Sequence, residues 1–261
     1  MGWMMTDTMF ANGTVNVREY GTGAPLVLFH SLLADRSSFD GVTAELAKHF
    51  RVLVPELPGF GLSAQVAGGL AATADRMAEF VREIGQPVRL LGNGYGGFVA
   101  LQMTLRHPEL ISRLVLADAG ACFSEPGRAA FRGMAAGATA KGLEGIAEVA
   151  MRRLFAPDFH AANPDLVAAR RACFLESKLD TVVAACGELA AMDLRPDLAR
   201  AAMPVLVVVG SQDEATPPAM SEEVAQLLPN ASITILDGLA HVPQLQDPAR
   251  FLAATLPFLR G

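Results

Sequence analysis

The chain has 261 residues, 51% of them hydrophobic, and a formal net charge of -6. That is enough for one large core with a modest insertion, and the acidic balance, spread along the chain, argues against a nucleic-acid partner. No apolar run nears the roughly 20 residues needed to cross a bilayer, so no membrane partner is expected. Residues 1–12 lack the basic segment, apolar run and small-residue cleavage site of a secretory leader. Cys122, Cys173 and Cys186 are odd in number and have neither metal-site nor redox spacing, which reads as packing thiols in a reducing cytoplasm. No metal or cofactor is implied, and nothing in the pattern specifies an oligomeric state.

In chain order, an Asn12-Gly13 turn signal followed by alternation over 14–20 predicts an antiparallel hairpin at a sheet edge. Apolar β-rich runs then occur at 26–29, 52–54, 88–91, 114–116, 205–209 and 233–236. Helical patterns at 39–49, 71–84, 95–106, 221–228 and from 248 onward separate or follow them. This alternation predicts an α/β fold with a buried, mostly parallel, doubly wound sheet. Between 120 and 196 strand-like runs vanish and Ala, Arg, Glu and Leu dominate, which predicts a helical lid over the C-terminal strand ends. The expected division is a core of 1–119 and 197–261 and a lid of 120–196.

The strongest motif is Gly92-Asn93-Gly94-Tyr95-Gly96-Gly97, set between a buried strand and a helix. A strand, a tight small-residue turn and a helix make a nucleophile elbow, whose tip carries the attacking side chain. The tip here is Gly94, which has none. The same glycines also fit a phosphate-binding G-x-G-x-x-G loop, but at least three strands precede this turn, whereas a dinucleotide site normally follows the first strand of its domain. Asp213 ends the 205–209 strand and His241 follows the last strand, so the chain order is elbow, acid, histidine, as in Ser-His-Asp hydrolases. Asp118 is the rival acid. His30-Ser31-Leu32 opens from a strand into a loop whose Leu32 N–H, with the Tyr95 N–H at a helix start, would form an oxyanion hole; His30 would shape that loop.

Together these residues resemble the α/β-hydrolase superfamily over about 15–259. His30-Ser31-Leu32-Leu33-Ala34-Asp35 is similar to the Asn-Ser-Leu-Gly-Thr-Asp loop of 3-oxoadipate enol-lactonases. Phe155-Ala156-Pro157-Asp158-Phe159, Met192-Asp193-Leu194-Arg195 and Ala215-Thr216-Pro217-Pro218 resemble that family's lid and acid loop. Leu154 stands where those lactonases often place tryptophan. The Pro55-Glu56-Leu57-Pro58-Gly59-Phe60-Gly61 turn and Asn93 look more like carbon–carbon bond hydrolases.

The resemblance implies a small ester, lactone or enol-lactone of aromatic catabolism as substrate, with Ser31 and the lid cations Arg128, Arg132 and Arg153 as substrate contacts; Arg152 and Lys178 are further candidates. With glycine at position 94 the chain is expected to be inactive, as an engineered substrate-trapping variant would be. The alternatives are a hydrolase using His241-activated water, a natural ligand-binding protein or sensor, and a carbon–carbon bond hydrolase.

Overall fold

The computed structural model describes residues 6–261; residues 1–5, part of the segment read for a leader, lie outside the described residues. The described strands are β1 (Thr6–Phe10), β2 (Val15–Tyr20), β3 (Pro25–Phe29), β4 (Arg51–Pro55), β5 (Val88–Asn93), β6 (Ile111–Ala117), β7 (Val205–Gly210) and β8 (Ala231–Leu236). They form one sheet in the order β1-β2-β4-β3-β5-β6-β7-β8. The β1–β2 and β2–β4 pairs are antiparallel, and every pair from β4–β3 onward is parallel. The hairpin turn passes through Ala11, Asn12 and Gly13 at φ 51°, 55° and 78°. Asn and Gly tolerate that left-handed region, which is why the Asn-Gly pair marks the turn.

Helices α1 (Asp40–Leu46), α2 (Gly69–Ile84) and α3 (Tyr95–Arg106) cross between the first parallel strands. Helices α4 (Glu125–Lys141), α5 (Glu144–Leu154), α6 (Pro157–Ala162), α7 (Pro164–Leu175) and α8 (Leu179–Ala191) fill the interval between β6 and β7. Helices α9 (Pro218–Leu227), α10 (Pro243–Gln246) and α11 (Pro248–Arg260) complete the chain.

Both faces of the central strands are covered, which explains why they read as unbroken apolar runs. Along β3, Val27 and Phe29 join the core that includes Met77 of α2 and Phe98 of α3. Leu26 and Leu28 point the other way, into the core that includes Val42 of α1 and Phe251 of α11. The last strand departs from the expectation of a buried run. It has a neighbour on one side only, so Ile233 and Ile235 remain 38% and 47% exposed. Helix α9 begins at Pro218, three residues before the apolar pattern, because proline is preorganised for a first helical turn. The turn of helix α10 was too short for periodicity to reveal.

The ends of the α4–α8 interval are drawn together by a bridge between Cys122 and Asp193 and by the Leu194 N–H donating to Ala121 O at 2.8 Å. Helix α4 packs on α8, and α8 reaches α2. Because β3, β5, β6, β7 and β8 run parallel, the loops after them emerge at one edge of the sheet. Those loops carry Ser31, Gly94, Asp118, Asp213 and His241. No described helix is long and apolar enough to cross a membrane. The cysteines are free, with Cys122 and Cys186 buried.

Candidate active site

The turn after β5 is held by backbone proximity. A Cβ on Gly92 would lie 2.4 Å from Gly96 O, and one on Gly96 would lie 2.4 Å from Phe29 O. Backbone atoms cannot yield as a side-chain tip can, so these flanking positions require glycine. The close approach also leaves no cradle for a phosphate at those glycines. Gly94 at the tip has φ 54° and ψ -122°, its N–H donates to Ala117 O at 3.0 Å, and the Gly96 N–H donates to His30 O at 3.1 Å. The turn is thus pinned to β6 on one side and to the loop after β3 on the other.

Asp213 is 3% and His241 5% exposed, and Asp213 Oδ2 lies 3.0 Å from His241 Nδ1. The carboxylate is well supplied with donors. Its Oδ1 accepts the N–H groups of Ala215 at 2.7 Å and Thr216 at 3.0 Å, and the Thr216 hydroxyl lies 2.5 Å from Oδ2. A carboxylate has only lone pairs to offer, so the imidazole must donate from Nδ1 and present a bare Nε2. The His241 carbonyl accepts from Asn93 Nδ2 at 2.9 Å, and Asn93 Oδ1 accepts from Gln244 Nε2 at 3.0 Å. Those contacts fix the histidine loop against the elbow. Gln244 carries no sequence signal, since a single glutamine in a loop makes no pattern, and Thr216 is marked only by its place in the segment that resembles the acid loop.

Asp118, the rival acid, is also buried, but its Oδ1 accepts the Gly210 N–H at 2.8 Å and its Oδ2 has no hydrogen-bond partner among the described residues. Burial, and after it the negative charge of Asp213, push its carboxyl well above the usual carboxylate range. Asp118 therefore holds its proton more tightly than an ordinary carboxyl, and the imidazole pairs with Asp213.

The N–H groups of Leu32 and Tyr95 make no hydrogen bond among the described residues. Tyr95 is the first residue of α3, where amides lack an intrahelical acceptor and favour negative charge. Its phenol donates to Glu188 Oε2 at 2.9 Å, tying the elbow to α8; burial raises the pKa of Glu188. Ser31 lines the same cavity as these amides. Its Oγ stands 3.2 Å from His241 Nε2, and the residue is 1% exposed.

Ser31, Leu32, Gly94, Tyr95, Thr216 and His241 line one end of a small cavity whose remaining wall includes Phe98, Phe123, Phe131 and Leu189. Of the lid cations, Arg153 lines it and has no acidic partner among the described residues. Arg128 does not reach it. Its guanidinium donates to the carbonyls of Phe123, Ala190 and Met192, closing the base of the α4–α8 interval. Arg132 is exposed and paired with Glu125, a more favourable arrangement for a solvated cation than burial. Arg152 opens on a neighbouring surface cleft, and Lys178 is exposed.

The raised Asp118 pKa can be tested. Asp118→Asn keeps an acceptor for Gly210 and removes a proton that the folded state holds more tightly than the unfolded one. Because the folded pKa is raised, wild-type stability falls as pH rises above the unfolded value of about 4. The melting temperature of Asp118→Asn relative to wild type is expected to climb from that pH toward neutrality. A flat difference for Asp118→Asn would contradict a raised Asp118 pKa.

Residues 26–254 match the alpha/beta hydrolase family. A pimeloyl-(acyl-carrier protein) methyl ester esterase of Aeromonas hydrophila is 31% identical over 250 residues, covering 92% of this chain and 96% of that protein. The enol-lactonase of Burkholderia xenovorans superimposes with a TM-score of 0.91 at 25% identity, covering 98% of this chain and 100% of that one. A malate-bound thermophilic esterase of Thermogutta terrifontis gives 0.86 at 27% identity, covering 100% and 98%. The loop order around the sheet edge and these likenesses agree: the chain belongs to the alpha/beta hydrolase family.

Proposed function

We propose that this chain hydrolyses small carboxylic esters or lactones by a Ser-His-Asp type acyl transfer, with a lid at 120–196 over a core of 1–119 and 197–261. Asp213 orients His241, His241 moves the proton, the Leu32 and Tyr95 N–H groups hold the oxyanion, and Gly94 supplies no nucleophile. The observation that carries this reading is the buried Asp213–His241 pair facing the elbow tip across a cavity with unpaired amides. The esterase and enol-lactonase relatives support the reaction class. Asn93, one of the two features that look like carbon–carbon bond hydrolases, donates to the His241 carbonyl and accepts from Gln244. The free cysteines fit a reducing compartment, and we assign the chain to the cytoplasm.

Glycine at the tip removes any acyl-enzyme at residue 94. Losing a triad member leaves about 10³ to 10⁴ over water, from the oxyanion hole and binding. Gly94 thereby favours a second reading, a pocket that binds its ligand without turnover.

Hydrolysis of p-nitrophenyl acetate and of a carboxylate-bearing enol-lactone separates the two. The hydrolase reading expects turnover above buffer that His241→Ala abolishes. Turnover indifferent to His241→Ala would overturn it, and ligand binding without turnover would favour the second reading.

Arg153 is the cavity cation free to meet a substrate carboxylate. Arg153→Ala is expected to raise KM for the charged lactone about tenfold, with little change for the neutral ester. Equal effects on both substrates would assign Arg153 to packing against Phe131, whose ring centroid lies 5.9 Å from its guanidinium carbon.

A further inference from the structure

Beside the imidazole stands a buried hydroxyl, that of Ser31, to which the mechanism above gives no task. Ser31 Oγ sits 3.2 Å from His241 Nε2, the imidazole nitrogen opposite the one that meets Asp213. A Cβ added at residue 94 would fall 2.4 Å from Ser31 Oγ and 2.6 Å from His241 Nε2. The Ser31 hydroxyl thus occupies the volume where an elbow side chain would start, on the nitrogen that such a side chain would address. We infer that Ser31 is the nucleophile of this hydrolase, supplied from the loop after β3 in place of the elbow. The inference rests on the ester and lactone reading given above.

Three features of the loop fit that role. First, the base is already in contact. Nucleophile, imidazole and carboxylate stand in sequence at 3.2 Å and 3.0 Å, the hydrogen-bonded relay that activates a hydroxyl. Second, the N–H that follows Ser31 belongs to Leu32, so an oxyanion donor stands in the same covalent relation to Ser31 as Tyr95 does to the elbow tip. Third, the serine backbone is held. His30 Nδ1 lies 2.9 Å from Ser31 O, and His30 Nε2 accepts the Leu57 N–H at 3.1 Å. Burial lowers the pKa of His30, so the ring stays neutral, with one nitrogen donating to Ser31 O and the other accepting. Gly94 is the complement of this arrangement, since its missing side chain leaves Ser31 and His241 room to meet.

The chemistry balances without any further reactant than water. Ser31 Oγ bonds to the ester carbonyl carbon as its proton passes to His241 Nε2, and the former carbonyl oxygen takes the negative charge at the Leu32 and Tyr95 amides. Collapse breaks the bond to the alkoxy leaving group, which takes the proton from His241 and leaves an acyl ester on Ser31. Water then attacks that ester, gives its proton to His241, and the second collapse releases the acid as Ser31 regains its proton. In a lactone the leaving alkoxide stays tethered to the acyl group, and the product is the hydroxy acid.

The full chain is treated with diisopropyl fluorophosphate and mapped by peptide mass spectrometry, with p-nitrophenyl acetate hydrolysis followed in parallel. The expected result is a phosphoryl adduct on Ser31 that is lost in Ser31→Ala and in His241→Ala, with ester turnover in Ser31→Ala reduced about 10³-fold. Thermal melting of Ser31→Ala checks that the fold persists. Should that variant unfold, Ser31→Cys keeps the assignment testable, since the thiol should be alkylated by iodoacetamide faster than in the Ser31→Cys, His241→Ala double variant. His241-dependent turnover that survives Ser31→Ala, with no adduct at residue 31, would overturn the inference and leave the hydrolase reading in place. Turnover seen only when Gly94→Ser is combined with Ser31→Gly would likewise remove Ser31 from the chemistry while keeping the pocket. Absence of turnover and labelling in every variant would overturn both.

Discussion

One hydrogen bond, from His241 Nδ1 to Asp213 Oδ2, organises this end of the molecule. It fixes which imidazole nitrogen carries the proton and therefore which one is bare, and the bare nitrogen is what gives the cavity its chemistry. Much of the surrounding polar network serves that bond. Three donors converge on the Asp213 carboxyl, and Asn93 grips the His241 carbonyl while Gln244 holds Asn93. Asp118 packs beside the pair with its carboxyl pushed above the usual range by burial and by the negative charge of Asp213, which eases the crowding of buried negative charge.

The second constraint is steric and comes from the backbone. β5, α3 and the loop after β3 approach so closely that Gly92 and Gly96 admit no side chain, and the turn is forced to present residue 94 at positive φ. An elbow normally tolerates that strain because the exposed tip does chemistry. Here the turn is kept and the tip is bare. What stands in the vacated volume is Ser31, carried by a loop whose own geometry is set by the neutral, buried His30. The strained turn and the relocated hydroxyl then belong to one arrangement, since each position is filled in the way the other allows.

Much of this was legible in the residues themselves. The parallel sheet announced itself because strands buried on both faces leave unbroken apolar runs, and the helical interval stood out because those runs stop at 120. Asp213 and His241 could be chosen by chain order and by their loops. What sequence could not deliver was contact between distant loops. Ser31 and His241 are 210 residues apart, and nothing in either neighbourhood signals that their side chains meet. The same holds for Arg128, which looks like a free lid cation until the fold surrounds it with the carbonyls of Phe123, Ala190 and Met192. A formal charge states what a side chain could bind, and packing decides whether anything else has claimed it.

The chemistry of the site depends on the protonation pattern of one imidazole, which side-chain nitrogen NMR of His241 reads directly. The Asp213 contact predicts that the neutral ring carries its proton on Nδ1, with the Nε2 resonance that of an unprotonated nitrogen accepting a hydrogen bond. That Nε2 signal should move when Ser31 is replaced by alanine. A neutral His241 protonated on Nε2, with Nδ1 bare toward Asp213, would contradict the account at its root.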